Sequence, residues 1–316
     1  MQEEYPVELG PIDISAYAAG NTGIPYVTSF DSGKSGPHVM VNALTHGNEV
    51  CGAHALDLLF RSSIRPRRGR LTLSFANVAA YESFDRAQPS ASRYLDEDFN
   101  RVWTDAVLDG PRQSRELARA REMRPLLRTV DYLLDIHSMQ AATAPLMLCG
   151  LQAKGRRLAE AVGVPVLLVA DAGHSAGARM RDYNDFADEG SPRTALLVEC
   201  GQHWEKSSRT VAIECMLRFL LATGCVQKGD IASHVADAAP PPQRFVRVTD
   251  AVTIETDNFR FTQDFLGLEI IARRGTVIAH DGERPVATPY DDCILIMPNR
   301  RLQKGQTAVR LGSFVE

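Results

Sequence analysis

Short, almost wholly apolar runs alternate along this chain with longer amphipathic stretches. The runs HVMVNAL (38–44), LTLSFANV (71–78), VDYLLDI (130–136), VPVLLVA (164–170) and TALLVEC (194–200) have few polar interruptions, the pattern of central strands covered on both faces. Between them, EVCGAHALDLLF, SRELARAREMRPLL, AKGRRLAEAV and SRTVAIECMLRFLLATG carry apolar positions at helical spacing. This order predicts an α/β layer architecture with a buried sheet flanked by helices. The texture changes at SHVADAAPPPQRF (233–245), where alanines and three consecutive prolines read as an extended linker. Beyond it, FVRVTDAVTIE, LEIIARRGTVIAH, DDCILIMP and TAVRLGSF read as short strands separated by Gly, Asp and Pro turns. The expected division is therefore an α/β domain over 1–230, a Pro/Ala linker over 231–244 and a small all-β domain over 245–316.

Composition narrows the function classes. With 44% hydrophobic and 23% charged residues in 316, the chain is neither disordered nor a coiled coil. No run of roughly 18 apolar residues exists, so no membrane-spanning helix is expected. The acidic start MQEEYPVELG does not read as a signal peptide. Cations number 35 against 39 acids, a net charge of −4, which argues against a nucleic-acid-binding surface. Only five of those cations are lysines, so an arginine here acquires meaning only from its place in a motif. Six scattered cysteines, mostly inside apolar runs, read as reduced buried thiols and so as a cytoplasmic protein.

Four segments concentrate the chemistry. His46 and Glu49 sit in the turn HGNE at the end of the first apolar run, where Gly47 gives backbone freedom; imidazole and carboxylate three apart suit zinc. A turn histidine followed by a glutamate at a helix start is the ordinary alternative. The position at the carboxyl end of a central strand favours a ligand site. His137 ends a second such strand, and Asp135, two residues earlier, projects to the same face and can orient it. The segment SRYLDEDFNRVW (92–103) packs Arg93, Asp98, Asn100 and Arg101 together; arginine forks suit recognition of a carboxylate or polarisation of a carbonyl, while a solvated loop is the plainer reading. Glu199 closes a strand so apolar that an ionised carboxylate there costs several kcal/mol unless paired, and desolvation raises its pKa toward that of a general base.

Taken together, HGNE (46–49), RYLDEDFNR (93–101), DIH (135–137) and VECG (198–201) resemble the succinylglutamate desuccinylase and aspartoacylase family of zinc carboxypeptidase-like hydrolases, in the family's order and over nearly the whole chain. The resemblance implies a mixed sheet flanked by helices with a small C-terminal β domain capping the active site. It implies one zinc per chain, held by His46, Glu49 and His137, with Glu199 as catalytic base. Arg93 would polarise the scissile carbonyl, Asn100 and Arg101 would grip a substrate carboxylate, and Asp98 would back a ligand histidine. A further substrate arginine is open among Arg179, Arg181 and Arg193, and a C-terminal tyrosine is assigned to Tyr290. The implied reaction is hydrolysis of a small anionic N-acyl amino acid, with acyl group and amino acid open and a homodimer a reasonable expectation. A peptide-cleaving zinc carboxypeptidase and a non-catalytic metal-binding protein of the same fold are the alternatives.

Other features have plainer readings. DSGKSG (31–36) lacks the glycine a P-loop needs at Thr28 and reads as a hairpin turn. No GxSxG supports a serine nucleophile. The arginines of RSSIRPRRGR and those from Arg115 onward read as solvent-facing. His54, His174 and His203 are spare histidines; His54 lies about 140° round a helix from Glu49, whereas His203 is placed to line the pocket.

Overall fold

In a computed structural model the described residues are 5–173, 176–236 and 238–315, so His174 lies outside them. The apolar runs form the strands expected of them. In chain order the strands are β1 (Val27–Asp31), β2 (His38–Ala43), β3 (Arg70–Phe75), β4 (Tyr132–Met139), β5 (Leu146–Leu148), β6 (Leu167–Ala170) and β7 (Thr194–Gln202). After the proline-rich break come β8 (Arg244–Thr253), β9 (Phe259–Phe261), β10 (Ile270–Ile271), β11 (Val277–Asp281), β12 (Arg284–Ala287), β13 (Cys293–Ile296) and β14 (Thr307–Val315). The helices are α1 (Cys51–Arg61), α2 (Val78–Glu82), α3 (Asp105–Leu108), α4 (Arg115–Leu127), α5 (Ala153–Val162), α6 (Lys206–Ala222) and α7 (Lys228–Ile231).

Eleven strands form one mixed sheet in the order β1-β3-β2-β4-β7-β5-β6-β8-β14-β13-β10, and β12-β11-β9 form a small antiparallel sheet. Strands β3, β2, β4 and β7 are parallel neighbours, while β5 runs antiparallel to β7. The large sheet continues across the composition break, because β8 pairs in parallel with β6 and antiparallel with β14. DSGKSG is a turn but not a hairpin: the strands it joins, β1 and β2, both pair with β3 rather than with each other.

Alternation on β2 shows how the sheet is covered. Val39, Val41 and Ala43 face a core shared with α1, α5 and α6, whereas Met40 faces a second core built from α4, Phe99 and Trp103. Both faces are buried, as the apolar composition of the strands requires. All six cysteines are free and buried.

The arginines of α4 depart from expectation. Arg115 is exposed, but Arg119 donates to the carbonyls of Ala76, Pro25 and Phe75, and Arg121 to those of Leu108, Gly110 and Arg112. These forks tie α4 to the β3 end and to the turns before β1 and after α3.

Candidate active site

The carboxyl ends of β2, β4 and β7 lie side by side, and the polar residues that close these strands meet there. The chain leaves β2 through Leu44, which takes a left-handed backbone (φ 60°), and enters the turn at His46. Gly47 serves this turn by close approach rather than by unusual dihedrals: a Cβ there would stand 2.3 Å from the Ala80 carbonyl carbon and 2.5 Å from the Ser92 oxygen. Its amide donates to the Arg93 carbonyl at 3.1 Å, pinning the turn to the polar segment.

His46, Glu49 and His137 are buried, and among the described residues they are the only His, Cys, Asp and Glu group whose ligand atoms converge, all within 4.8 Å of one another. His46 Nδ1 lies 2.7 Å from Glu49 Oε1, and His137 Nδ1 lies 2.8 Å from Glu49 Oε2. Both histidines therefore present the same ring nitrogen inward. Each donates its outer nitrogen to a carboxylate: His46 Nε2 to Asp98 Oδ1 at 2.9 Å, and His137 Nε2 to Asp135 Oδ2 at 2.8 Å. Asp135 also accepts from Asn42 and Thr45, which fixes it in turn. An oriented imidazole backed by a carboxylate is the arrangement of metal-ligating histidines, and two nitrogens with one carboxylate suit zinc while leaving a coordination position open.

Electrostatics agree with a carboxylate ligand. Burial alone would push the Glu49 carboxyl up, but the two facing imidazoles hold it well below the ordinary carboxylate range. Asp98 is likewise held low against its own burial by Arg93 and His46. Glu199 goes the other way. It pairs across the sheet with His137, is buried, and its Oε2 has no hydrogen-bond partner. Burial raises its pKa to about 8, with Glu49 adding to the rise and His137 and Arg93 opposing it. A partnerless buried carboxyl on the same cavity wall as His46, Glu49 and His137 is poised to exchange a proton with a water or a substrate there.

The segment 92–103 is a fixed loop, not a solvated one. Glu116 on α4, fully buried, accepts from the amides of Leu95, Asp96 and Glu97. Arg93 reaches Glu49 at 3.3 Å and Asp98 at 3.1 Å. Asn100 accepts from the Met180 amide, which leaves its Nδ2 donors without a bond among the described residues. Arg101 lines the cavity, and burial together with Arg93, Arg179 and Arg310 brings its pKa down to about 10.

These residues line a cavity of about 270 Å³ that holds five arginines (93, 101, 179, 301 and 310) against three carboxylates (49, 98 and 199). Of the three open arginine candidates, Arg179 lines the cavity. Arg181, held by Asp182 and the Ala195 carbonyl, and Arg193, by Asp185 and the Arg128 carbonyl, do not. Tyr290 is not brought to the cavity wall; its hydroxyl bonds Thr249 at 2.6 Å. Arg301 and Arg310 supply C-terminal side chains there instead, and neither was singled out in the sequence. Asp171 holds Arg179 at 2.9 Å and Arg310 at 3.0 Å. Asp171 closes the apolar run of β6, the same signature that exposed Asp135 and Glu199. His203 lines the cavity with Nδ1 2.8 Å from Ser138 Oγ, and His54 is away from it, bonded to the Gly10 carbonyl.

The family model described as "Succinylglutamate desuccinylase/Aspartoacylase catalytic domain" matches residues 35–218. A succinylglutamate desuccinylase of Burkholderia lata is 25% identical over 292 residues, 85% of this chain and 77% of that protein. The human N-acyl-aromatic-L-amino acid amidohydrolase (carboxylate-forming) is 30% identical over 112 residues, 33% of this chain and 34% of that protein. Among solved structures, a succinylglutamate desuccinylase from Vibrio cholerae superposes with a TM-score of 0.68 at 18% identity, covering 92% of this chain and 86% of that one.

Proposed function

Because the chain belongs to the succinylglutamate desuccinylase/aspartoacylase family, whose catalytic-domain match spans more than half its length, we propose that it is a zinc-dependent amide hydrolase that removes the acyl group from an N-acyl amino acid. The observation that carries this reading is the juxtaposition of a carboxylate-backed His46–Glu49–His137 cluster with a partnerless, buried Glu199. The donor set fits zinc better than magnesium or calcium, which favour all-oxygen sites. His46, Glu49 and His137 would hold the zinc, which would supply Lewis-acid chemistry to the amide carbonyl and to the attacking water near neutrality.

The protein's own groups do the rest. Glu199 takes the proton of the attacking water at its free Oε2 and passes it to the amide nitrogen as the carbon–nitrogen bond breaks. Arg93, already held as a full cation by Asp98 and Glu49, donates to the oxygen on which negative charge develops. Asn100, Arg101 and Arg179 bind the carboxylate of the amino-acid arm, and a carboxylic acid and a free amino acid leave. The segment 245–316 caps this pocket by contributing Arg301 and Arg310. The buried thiols agree with a reducing, cytoplasmic setting.

The test is hydrolysis of N-acetyl and N-succinyl derivatives of aspartate and glutamate, with metal content measured in the same samples. Wild-type protein should bind about one zinc and release amino acid. Glu199→Gln should retain the metal while kcat falls by about 10²–10⁴. Full activity of Glu199→Gln with zinc bound would overturn the mechanism.

A further inference from the structure

The cavity wall carries a third buried histidine, which the reading above leaves without a task. His203 directly follows β7, and its position is fixed. Its amide donates to the Met139 carbonyl at 2.9 Å, its ring lies 5.5 Å from that of Trp204, and its Nδ1 is 2.8 Å from Ser138 Oγ. Ser138 is itself tied to the candidate metal cluster: it follows His137 in the chain, and its amide donates to Glu49 Oε2 at 3.2 Å. The other ring nitrogen of His203, Nε2, is buried and has no partner among the described residues.

The hydroxyl decides which nitrogen carries the proton. Among the described residues Ser138 Oγ bonds only to His203 Nδ1. With the proton on Nδ1, the hydroxyl hydrogen would be buried without an acceptor. With the hydroxyl donating to Nδ1, one bond satisfies both groups and the ring proton sits on Nε2. Burial brings the His203 pKa down to about 3, and Arg93, His46 and Arg301 reinforce the shift against Glu49, so the ring is neutral.

A neutral N–H buried without an acceptor is costly unless a ligand accepts from it. The charged neighbours of His203 indicate which ligand atom does so. They include Glu49 and His46 of the cluster, and Arg93. All three act at the scissile carbonyl in the deacylase reading, on which this inference rests. We propose that His203 is a further catalytic residue, whose Nε2–H donates to the scissile carbonyl oxygen beside Arg93 and does so more strongly as that oxygen becomes negative. It gives up no proton, so Glu199 alone carries the proton from the attacking water to the leaving nitrogen. Being neutral, it also stabilises the developing charge without drawing a substrate carboxylate into the carbonyl's place.

Two measurements on the full-length zinc-loaded protein test it. The first is steady-state kinetics on whichever acetyl or succinyl derivative of aspartate or glutamate the wild type hydrolyses fastest. His203→Leu should lower kcat by about 10²-fold while KM stays within about threefold. His203→Gln, which returns an N–H near the Nε2 position, should recover at least about tenfold of that loss. No loss, a loss confined to KM, or an equal loss in the two variants would overturn the proposal. The second measurement needs no turnover: NMR of the histidine rings of the wild-type protein, with and without a phosphonamidate analogue of the tetrahedral intermediate. The His203 ring should be neutral with its proton on Nε2 from about pH 5.5 to about pH 8, and that N–H resonance should move downfield when the analogue binds. A proton on Nδ1, or a resonance that the analogue leaves in place, would overturn the assignment of His203 and leave the deacylase reading intact. Failure of the wild type to hydrolyse any N-acyl amino acid would overturn both readings.

Discussion

The histidines of the candidate metal cluster owe their orientation to carboxylates outside the cluster. Asp135 holds His137 and Asp98 holds His46, each by the ring nitrogen that points away from Glu49. Replacing Asp135 by Asn removes the charge that fixes the tautomer while keeping the shape, and zinc affinity should fall by about 10–100-fold. Competition titration against a chromophoric chelator reads this directly; unchanged affinity would show that His137 is positioned by packing alone. At this scale much of the site was legible. His46, His137, Glu199 and Asp135 close apolar strands, and a polar residue in such a place is costly to bury without a task. Arg301 was not legible, because its place on the cavity wall comes from tertiary packing, which no local pattern encodes. Arg310 alternates along β14 like any half-exposed strand residue; only its pairing with Asp171, far away in the sequence, shows that it is buried.

Among elements, the periodicity read α1, α4, α5 and α6 nearly to their ends, since each is long enough to show its apolar stripe. It missed β1, β5, β9 and β12, which are too short or too polar to do so, and it misjudged how β1 and β2 are joined. Two elements carry predictions. The β2–α1 turn is packed so tightly at Gly47 that Gly47→Ala should cost about 1–3 kcal/mol by overpacking; a urea titration at neutral pH measures it, and an unchanged midpoint would show that the neighbouring backbone yields. Strand β2 also carries His38, buried, with Nε2 2.7 Å from Thr72 Oγ1 and Nδ1 3.0 Å from Thr129 Oγ1. Burial lowers its pKa to about 4, with Arg70 reinforcing the shift. The unfolded chain takes up this proton near pH 6.5 but the folded protein does not until about pH 4. The contribution is therefore fully present above the unfolded pKa and is lost as pH falls toward 4, by at most about 1.4 kcal/mol per pH unit. Stability curves of wild type and His38→Gln should converge on acidification through this window, and parallel curves would contradict the assignment.

In the whole molecule, the N-terminal and C-terminal halves meet in one hydrogen-bonded sheet and one buried ion network. Asp171 follows β6 and holds both Arg179 and, from β14, Arg310. Removing it leaves two buried guanidinium groups short of their counter-ion, so Asp171→Ala should destabilise the protein by about 3–5 kcal/mol; a melting temperature within a degree or two of wild type would show that Asp182 compensates. Withdrawing the metal should act on the same scale. Chelation should abolish hydrolysis and lower the melting temperature, and added zinc should restore both.

The continuity of the sheet also bears on how a substrate arrives. Four consecutive residues of β6 pair with β8, so β14, which bears Arg310, is joined to the catalytic half without a break in the ladder, and Arg301 stands in the connection that leads into it. A mouth built this way admits its ligand by diffusion into a standing funnel rather than by the swing of a lid. The capture rate is then governed by the field of five arginines lining one cavity of a protein whose net charge is −4. Electrostatic steering of an anion into such a funnel fades with ionic strength. Encounter, and with it kcat/KM, should fall steeply as salt is added while kcat stays nearly constant, and solvent viscosity should leave kcat largely untouched.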